Sequence, residues 1–225
     1  MHRLPTLSLR SRIGKLLMTL AGVGAVAGMG SSCNLDPVHR AGVNSLGDEA
    51  EDLYPPESEW HRPGEPCGLC HSSAGPADNT FVLAGTIFWG PDRYDRRVDQ
   101  AYVRIAGPEN TTKCFVTNCN GNFFVRPVEY QNLKFPLLVS VERVKNPGGR
   151  EPDAEQPIRI RRMTSHIGRE ASCATCHILN LRDFGSPGQI RLFDTESEVD
   201  QANPPITIPC PDEAPRVTRC PEDRQ

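Results

Sequence analysis

No apolar run in this chain is long enough to read as a membrane span. The best candidate, Leu16–Gly30, has 15 residues rich in Gly and Ala, short of the roughly 20 that a bilayer core requires. An excess of base is also missing, with 25 Lys and Arg against 28 Asp and Glu. Residues 1–32 carry Arg3, Arg10, Arg12 and Lys15 without an acid, so their removal takes the net charge from −3 to −7. A mature chain that acidic repels phosphate backbones, which argues against nucleic acid as a partner. Apart from one pentad that occurs twice, the sequence contains no internal repeat. With 19 Gly and 21 Pro in 225 residues, it is above average in both and reads as loop-rich.

The repeated pentad is Cys67-Gly68-Leu69-Cys70-His71, which returns as Cys173-Ala174-Thr175-Cys176-His177. C-x-x-C-H is the attachment signature of c-type haem. Two thiols three residues apart lie on one turn and can both add to the vinyl groups of a single porphyrin. The histidine that follows falls beneath the macrocycle and offers a ring nitrogen to the iron. A structural zinc site is the first competing reading, but paired zinc knuckles lie some 15–20 residues apart, whereas 102 residues separate Cys70 from Cys173. A thioredoxin-like pair needs a strand before it and a helix after it; Arg-Pro-Gly-Glu-Pro precedes Cys67 instead. A pair of local disulfides is the third alternative. Two haem c groups, with His71 and His177 as proximal ligands, are the expectation.

A second axial ligand is expected for each iron, and the candidates are His39, His61, His166 and Met163. His61 lies six residues before Cys67, and His166 seven before Cys173. Such a segment spans about 20 Å at roughly 3.3 Å per residue, enough to reach the far face of a macrocycle. His61 and His166 are therefore the expected distal ligands, with Met163 the rival at the second site. A solvated or hydrogen-bonded role is the ordinary alternative for a lone histidine.

Residues 1–32 read as an export signal, a basic start followed by the small apolar run. The stretch Gly30-Ser31-Ser32-Cys33 resembles a relaxed bacterial lipobox, although Gly30 stands where Leu is usual. That resemblance implies lipidation of Cys33 and a membrane anchor facing the periplasm or cell surface. Cysteine parity agrees with it. Of nine cysteines, four go to haem and one to lipid, leaving Cys114, Cys119, Cys210 and Cys220 as disulfide candidates in two short-range pairs. From Asn34 to Trp60 there are seven acids against one base, the composition of a solvated tether; residues 33–60 are assigned to it, and 61–80 to the first haem-binding segment.

Residues 81–143 contain short runs rich in Val, Ile, Phe and Tyr. Ala101, Val103 and Ile105 alternate with Tyr102 and Arg104, and Asn120-Gly121 marks a tight turn. Five to seven strands at this spacing predict an antiparallel β-sandwich, so the fold class is mainly β, flanked by two short, irregular or short-helical haem-binding segments. The runs Ala84-Gly85-Thr86-Ile87-Phe88, Ala101-Tyr102-Val103-Arg104-Ile105, Thr117…Gly121-Asn122-Phe123 and Phe135…Val139-Ser140-Val141 resemble the carboxypeptidase regulatory-like (transthyretin-like) sandwich. Members of that family are mostly spacer or binding modules, and the resemblance implies no catalytic residue.

Residues 144–165 read as a linker followed by an arginine-rich exposed strand or extended arm, 166–193 as the second haem-binding segment with a final strand near Gln189–Phe193, and 194–225 as an irregular acidic tail. The pentads and upstream histidines are similar to multihaem c-type cytochromes, in which the cofactor replaces a hydrophobic core. The resemblance implies an electron carrier between periplasmic or outer-membrane redox proteins. A sensory or ligand-binding lipoprotein and a dihaem peroxidase are the alternatives; nothing in the sequence marks the acid or base that a peroxidase places above an open haem. The sandwich is expected to bring the two pentads together in space.

Overall fold

A computed structural model of the chain describes residues 36–47, 58–91, 96–109, 111–144, 157–179 and 185–202. The expected export signal, Cys33, the linker at 145–150, and Cys210 and Cys220 lie outside these residues. The described chain is mainly β, with strands β1 (Leu83–Phe88), β2 (Tyr102–Ala106), β3 (Thr112–Val116), β4 (Asn122–Val125), β5 (Leu138–Val144), β6 (Pro157–Arg162) and β7 (Ile190–Arg191), and helices α1 (Pro37–Ser45) and α2 (Glu196–Ala202).

The strands form a sheet of order β4-β1-β7 and a sheet of order β3-β2-β5-β6. Both sheets contribute to one apolar core, an arrangement compatible with a sandwich. The alternation in β2 is realised: Ala101, Val103 and Ile105 are fully buried while Arg104 is half-exposed on the opposite face. Val103 and Ile105 stand opposite Val141 and Val139 of β5 in register, so cross-strand branched pairs build the inner face of this sheet. From the other sheet Leu83, Ile87, Phe123 and Val125 meet them.

β1 is buried along its whole length, which the pairing explains. Its odd positions share the core face with Phe123 and Val125, and its even positions share the outer face with Asn122 and Phe124. The outer face carries the segment before the first pentad. β7 pairs parallel to β1, so the expected all-antiparallel arrangement is corrected at that edge, where the chain returns after a long excursion. Asn120-Gly121 does form a tight turn, with Gly121 at φ +74°, a conformation that glycine adopts without cost. The turn joins β3 to β4, which belong to different sheets, so it is an arch rather than a hairpin.

Two stretches are more regular than expected, and a third takes one of its two expected forms. The stretch at 36–47 is not tether alone, because α1 starts on an Asp36 cap whose carboxylate accepts from the Val38 and His39 amides at 2.9 and 3.2 Å, with proline in its first turn. Of the two forms expected for the arginine-rich stretch, the strand is the one formed: it is edge strand β6, paired antiparallel with β5. Arg161 meets Asp194 at 2.6 Å, and Arg159 and Arg191 approach the same carboxylate at 3.8 and 3.6 Å; the Arg161 hydrogen bond holds that carboxyl below its usual range. The tail from Asp194 is helical over α2, because Thr195 and Glu198 form a reciprocal capping box, with Glu198 N–H donating to Thr195 Oγ1 at 3.2 Å and Thr195 N–H donating to Glu198 Oε2 at 3.2 Å. Val199 of this helix is fully buried in the core.

Candidate functional site

The two pentads fold alike. Cys67–Leu69 and Cys173–Thr175 are each a single 3-10 turn. In both, the second cysteine's amide donates to the first cysteine's carbonyl at 3.2 Å and the histidine amide donates to the same carbonyl at 2.8 Å. One carbonyl thus gathers both downstream amides, which places the two thiols and the histidine around one turn.

The imidazoles are also held alike. His71 Nδ1 lies 2.8 Å from the Asn79 carbonyl oxygen, and His177 Nδ1 lies 2.8 Å from that of Gly188. A carbonyl only accepts, so Nδ1 carries the proton and Nε2 keeps its lone pair. That tautomer, fixed by a backbone carbonyl, is the usual state of a metal-ligating histidine. Burial holds His71 below its ordinary pKa against the opposing pull of the Asn79 carbonyl, which favours the neutral ring that binds metal.

β1 is the hub of both sites. Before the first pentad, Gly64 N–H donates to Thr86 Oγ1 at 2.7 Å on the outer face of β1; after it, Phe81 N–H returns to the His71 carbonyl at 2.9 Å and the chain enters β1. Arg62 caps the end of α1, donating to the Leu46 and Gly47 carbonyls at 3.3 and 2.6 Å, and Gly42 packs on Leu69. The second pentad is stitched to the edge of β1 at both ends. Ala84 N–H donates to the Ala171 carbonyl at 2.8 Å, and β7 pairs with Ile87 and Phe88. Ser186 closes that loop, its hydroxyl donating to the Cys176 carbonyl at 2.8 Å.

The pentads therefore meet, as expected from the sequence. A Cβ built on Gly68 of the first would lie 3.2 Å from Ser172 Cβ, directly before the second. Each pentad lines its own cavity. The first, of about 590 Å³, is bounded by Cys67, Cys70, His71, His61, Phe81, Phe124, Arg62 and Arg126. The second, of about 600 Å³, is bounded by Cys173, Cys176, His177, His166, Met163, Ile87, Val103, Val139, Ile167, Ile190 and three arginines, Arg161, Arg162 and Arg191. Both volumes fall within the roughly 300–1,000 Å³ of small-molecule and cofactor sites.

His61 and His166, the two expected distal ligands, thus each line the cavity of the pentad that follows in sequence. The ring centroids of His61 and His71 are 5.7 Å apart. His61 Nδ1 bonds the Ser58 carbonyl, the same tautomer again. His166 is exposed and shares its cavity with Met163. His39 sits on α1, outside the residues that bound either cavity. Cys114 and Cys119 are both disulfide-bonded. Trp60 is buried, not part of the cavity wall. Sequence reasoning missed Asn79, Gly188, Ser186 and the asparagines at 118, 120 and 122, since each acts through a partner that only the fold brings near. The even spacing of those asparagines was the available signal.

The thiols differ in environment. Burial pushes Cys67 up to about 11 and Cys173 up to about 12, the latter also raised by neighbouring Cys67. Cys70 is raised by its own burial, while Cys176 is exposed. Thiolate is the reactive form, so in the chain without cofactor iodoacetamide should label Cys176 first and Cys67 and Cys173 last, with labelling of the slow pair rising as pH rises. Mass spectrometry of a labelling time course checks this; equal rates at Cys173 and Cys176 would contradict it.

Among the described residues no group of three or more His, Cys, Asp or Glu is arranged to hold a bare metal ion, and no helix is long and apolar enough to cross a membrane. Compared with known protein families, curated proteins and solved structures, the chain matches none.

Proposed function

We propose that the chain is a dihaem c-type cytochrome, exported and anchored through lipid on Cys33, whose two-sheet body is a β-sandwich holding both haems. The observation that carries the reading is the equivalence of the pentads: the same turn, the same carbonyl-fixed histidine tautomer, and a cavity of cofactor size at each. Porphyrin asks for no three-residue metal cluster, because the macrocycle supplies four nitrogens.

Haem iron at these positions supplies one-electron chemistry at a potential set by its axial ligands and surroundings. The chain does the rest. Cys67 and Cys70, and Cys173 and Cys176, would tether the two macrocycles; His71 and His177 would offer Nε2 to the irons; and His61 and His166, which line the same cavities, would be the second protein ligands. Arg62 and Arg126 at the first cavity, and Arg161, Arg162 and Arg191 at the second, are suited to carboxylate groups such as propionates. The approach of Gly68 in the first turn to Ser172, which precedes the second, would hold two bound haems near one another, an arrangement suited to a carrier of electrons between redox partner proteins. Small-ligand binding at the second centre is the competing reading, and the exposure of His166 is the observation in its favour.

The test is expression with a competent c-type maturation system. A pyridine haemochrome spectrum should give two haem c per chain, and haem staining should survive boiling and denaturing electrophoresis. Fully matured host cytochromes beside a haem-free product would end the reading.

A further inference from the structure

Three asparagines of the β3–β4 arch hold the backbone that carries His61. Asn118 Nδ2 donates to the Glu59 carbonyl at 2.7 Å, Asn120 Nδ2 to the Trp60 carbonyl at 2.6 Å, and Asn122 Nδ2 to the His61 carbonyl at 3.0 Å. Alternate side chains of one turn thus meet consecutive carbonyls of a segment about 60 residues away in sequence.

The arch is itself preorganised. Asn118 Oδ1 accepts from the amides of Asn120 and Asn122, both at 3.0 Å, and Gly121 takes the left-handed conformation between them. On the far side of His61 the grip closes through Thr86, whose hydroxyl donates to Asn122 Oδ1 at 2.7 Å and accepts from Gly64 N–H at 2.7 Å. The backbone from Glu59 to Gly64 is thereby fixed at four points, and the Ser58 carbonyl fixes rotation of the imidazole itself. The segment precedes the first pentad and contains no strand or helix. Without such a grip, the conformational freedom of an irregular stretch would have to be lost each time the ring ligated iron.

The geometry points to Asn118, Asn120 and Asn122 as positioning residues that lock His61 as a permanent axial ligand of the first haem. The inference rests on the dihaem reading and adds to it a cause for saturation of the first iron. Held in place by three amides, His61 is not displaced by small ligands. His166, exposed and without a hydrogen bond among the described residues, has no such grip.

The test uses the matured full chain with Asn118→Asp and Asn122→Asp together. Aspartate keeps the acceptor oxygens that organise the arch and that Thr86 uses, and removes two of the three donors. On reduction the variant should bind one carbon monoxide per chain more than the parent; without carbon monoxide that haem should be high-spin, and added imidazole should return it to the low-spin six-coordinate spectrum. In a His61→Ala background the two substitutions should add no further carbon monoxide uptake. If the double variant fails to mature, Asn118→Asp alone decides, with partial uptake expected at subsaturating carbon monoxide. Two covalent haems with uptake equal to the parent in the decisive variant would overturn the clamp and leave the dihaem reading standing. A parent without covalent haem would overturn both.

Discussion

Replacing Cys67 and Cys70 with Ala in the matured protein should leave one covalent haem per chain instead of two, and should move the midpoint potential of the haem that remains. The loss of one haem follows from having two independent attachment turns. The shift follows from their contact, since Gly68 of the first turn abuts Ser172 beside the second. Unit charges about 10 Å apart at an effective dielectric near 20 interact by roughly 1.7 kcal/mol, or about 70 mV for a one-electron couple. With both haems bound, each should titrate in the field of the other, and the parent should show two coupled steps whose values belong to the pair. Spectroelectrochemical titration of parent and variant measures this. An unchanged midpoint for the surviving haem would mean that the two centres do not sense one another.

Gly85→Ala should have a comparably large effect from a single methyl group. A Cβ at this position would lie 2.8 Å from Cys173 Cβ, 3.0 Å from its sulfur and 3.2 Å from Phe123 Cε1. Relief by movement is blocked, because β1 pairs with β4 on one side, while on the other Ala84 binds Ala171 and β7 pairs with Ile87 and Phe88. Overpacking of this kind costs about 1–3 kcal/mol, and displacement of Cys173 should also cut attachment at the second site. The expected result is a lower denaturant midpoint together with fewer than two haems per chain, the deficit lying at Cys173 and Cys176 in peptide mapping. Gly168→Ala is the matched control, because a Cβ there meets nothing within 4 Å. Normal haem content and stability in Gly85→Ala would show that the close approach is not required.

The second prediction turns on β1, which the sequence marks as a strand without marking it as the place where both pentads are fastened. The sequence by itself determined what depends on neighbouring residues. The thiol and histidine spacing of each pentad dictates a turn that gathers three groups, and the turn forms in both copies. The alternation Ala101, Val103, Ile105 dictates a two-faced strand, and the glycine at 121 dictates a tight turn. The capping pair Thr195 and Glu198 is equally local and readable, although the acidic, proline-rich composition around it reads as irregular tail.

Tertiary structure alone decided which surfaces meet. That the arch at 118–122 grips carbonyls 59–61 depends on β3 and β4 entering different sheets, a choice set by packing of the whole core and invisible in a turn signal. That the pentads approach was expected from the sandwich between them, but the means, Ala171 and β7 both returning to β1, is encoded by no feature of either pentad. Backbone donors and acceptors at Asn79, Gly188, Ala84 and Ala171 exist at every position of any chain, so their identity carries no signal until the fold chooses their partners. The chemistry of each turn was therefore legible in the residues, whereas the relation between the turns is a property of the sheet that both are fastened to.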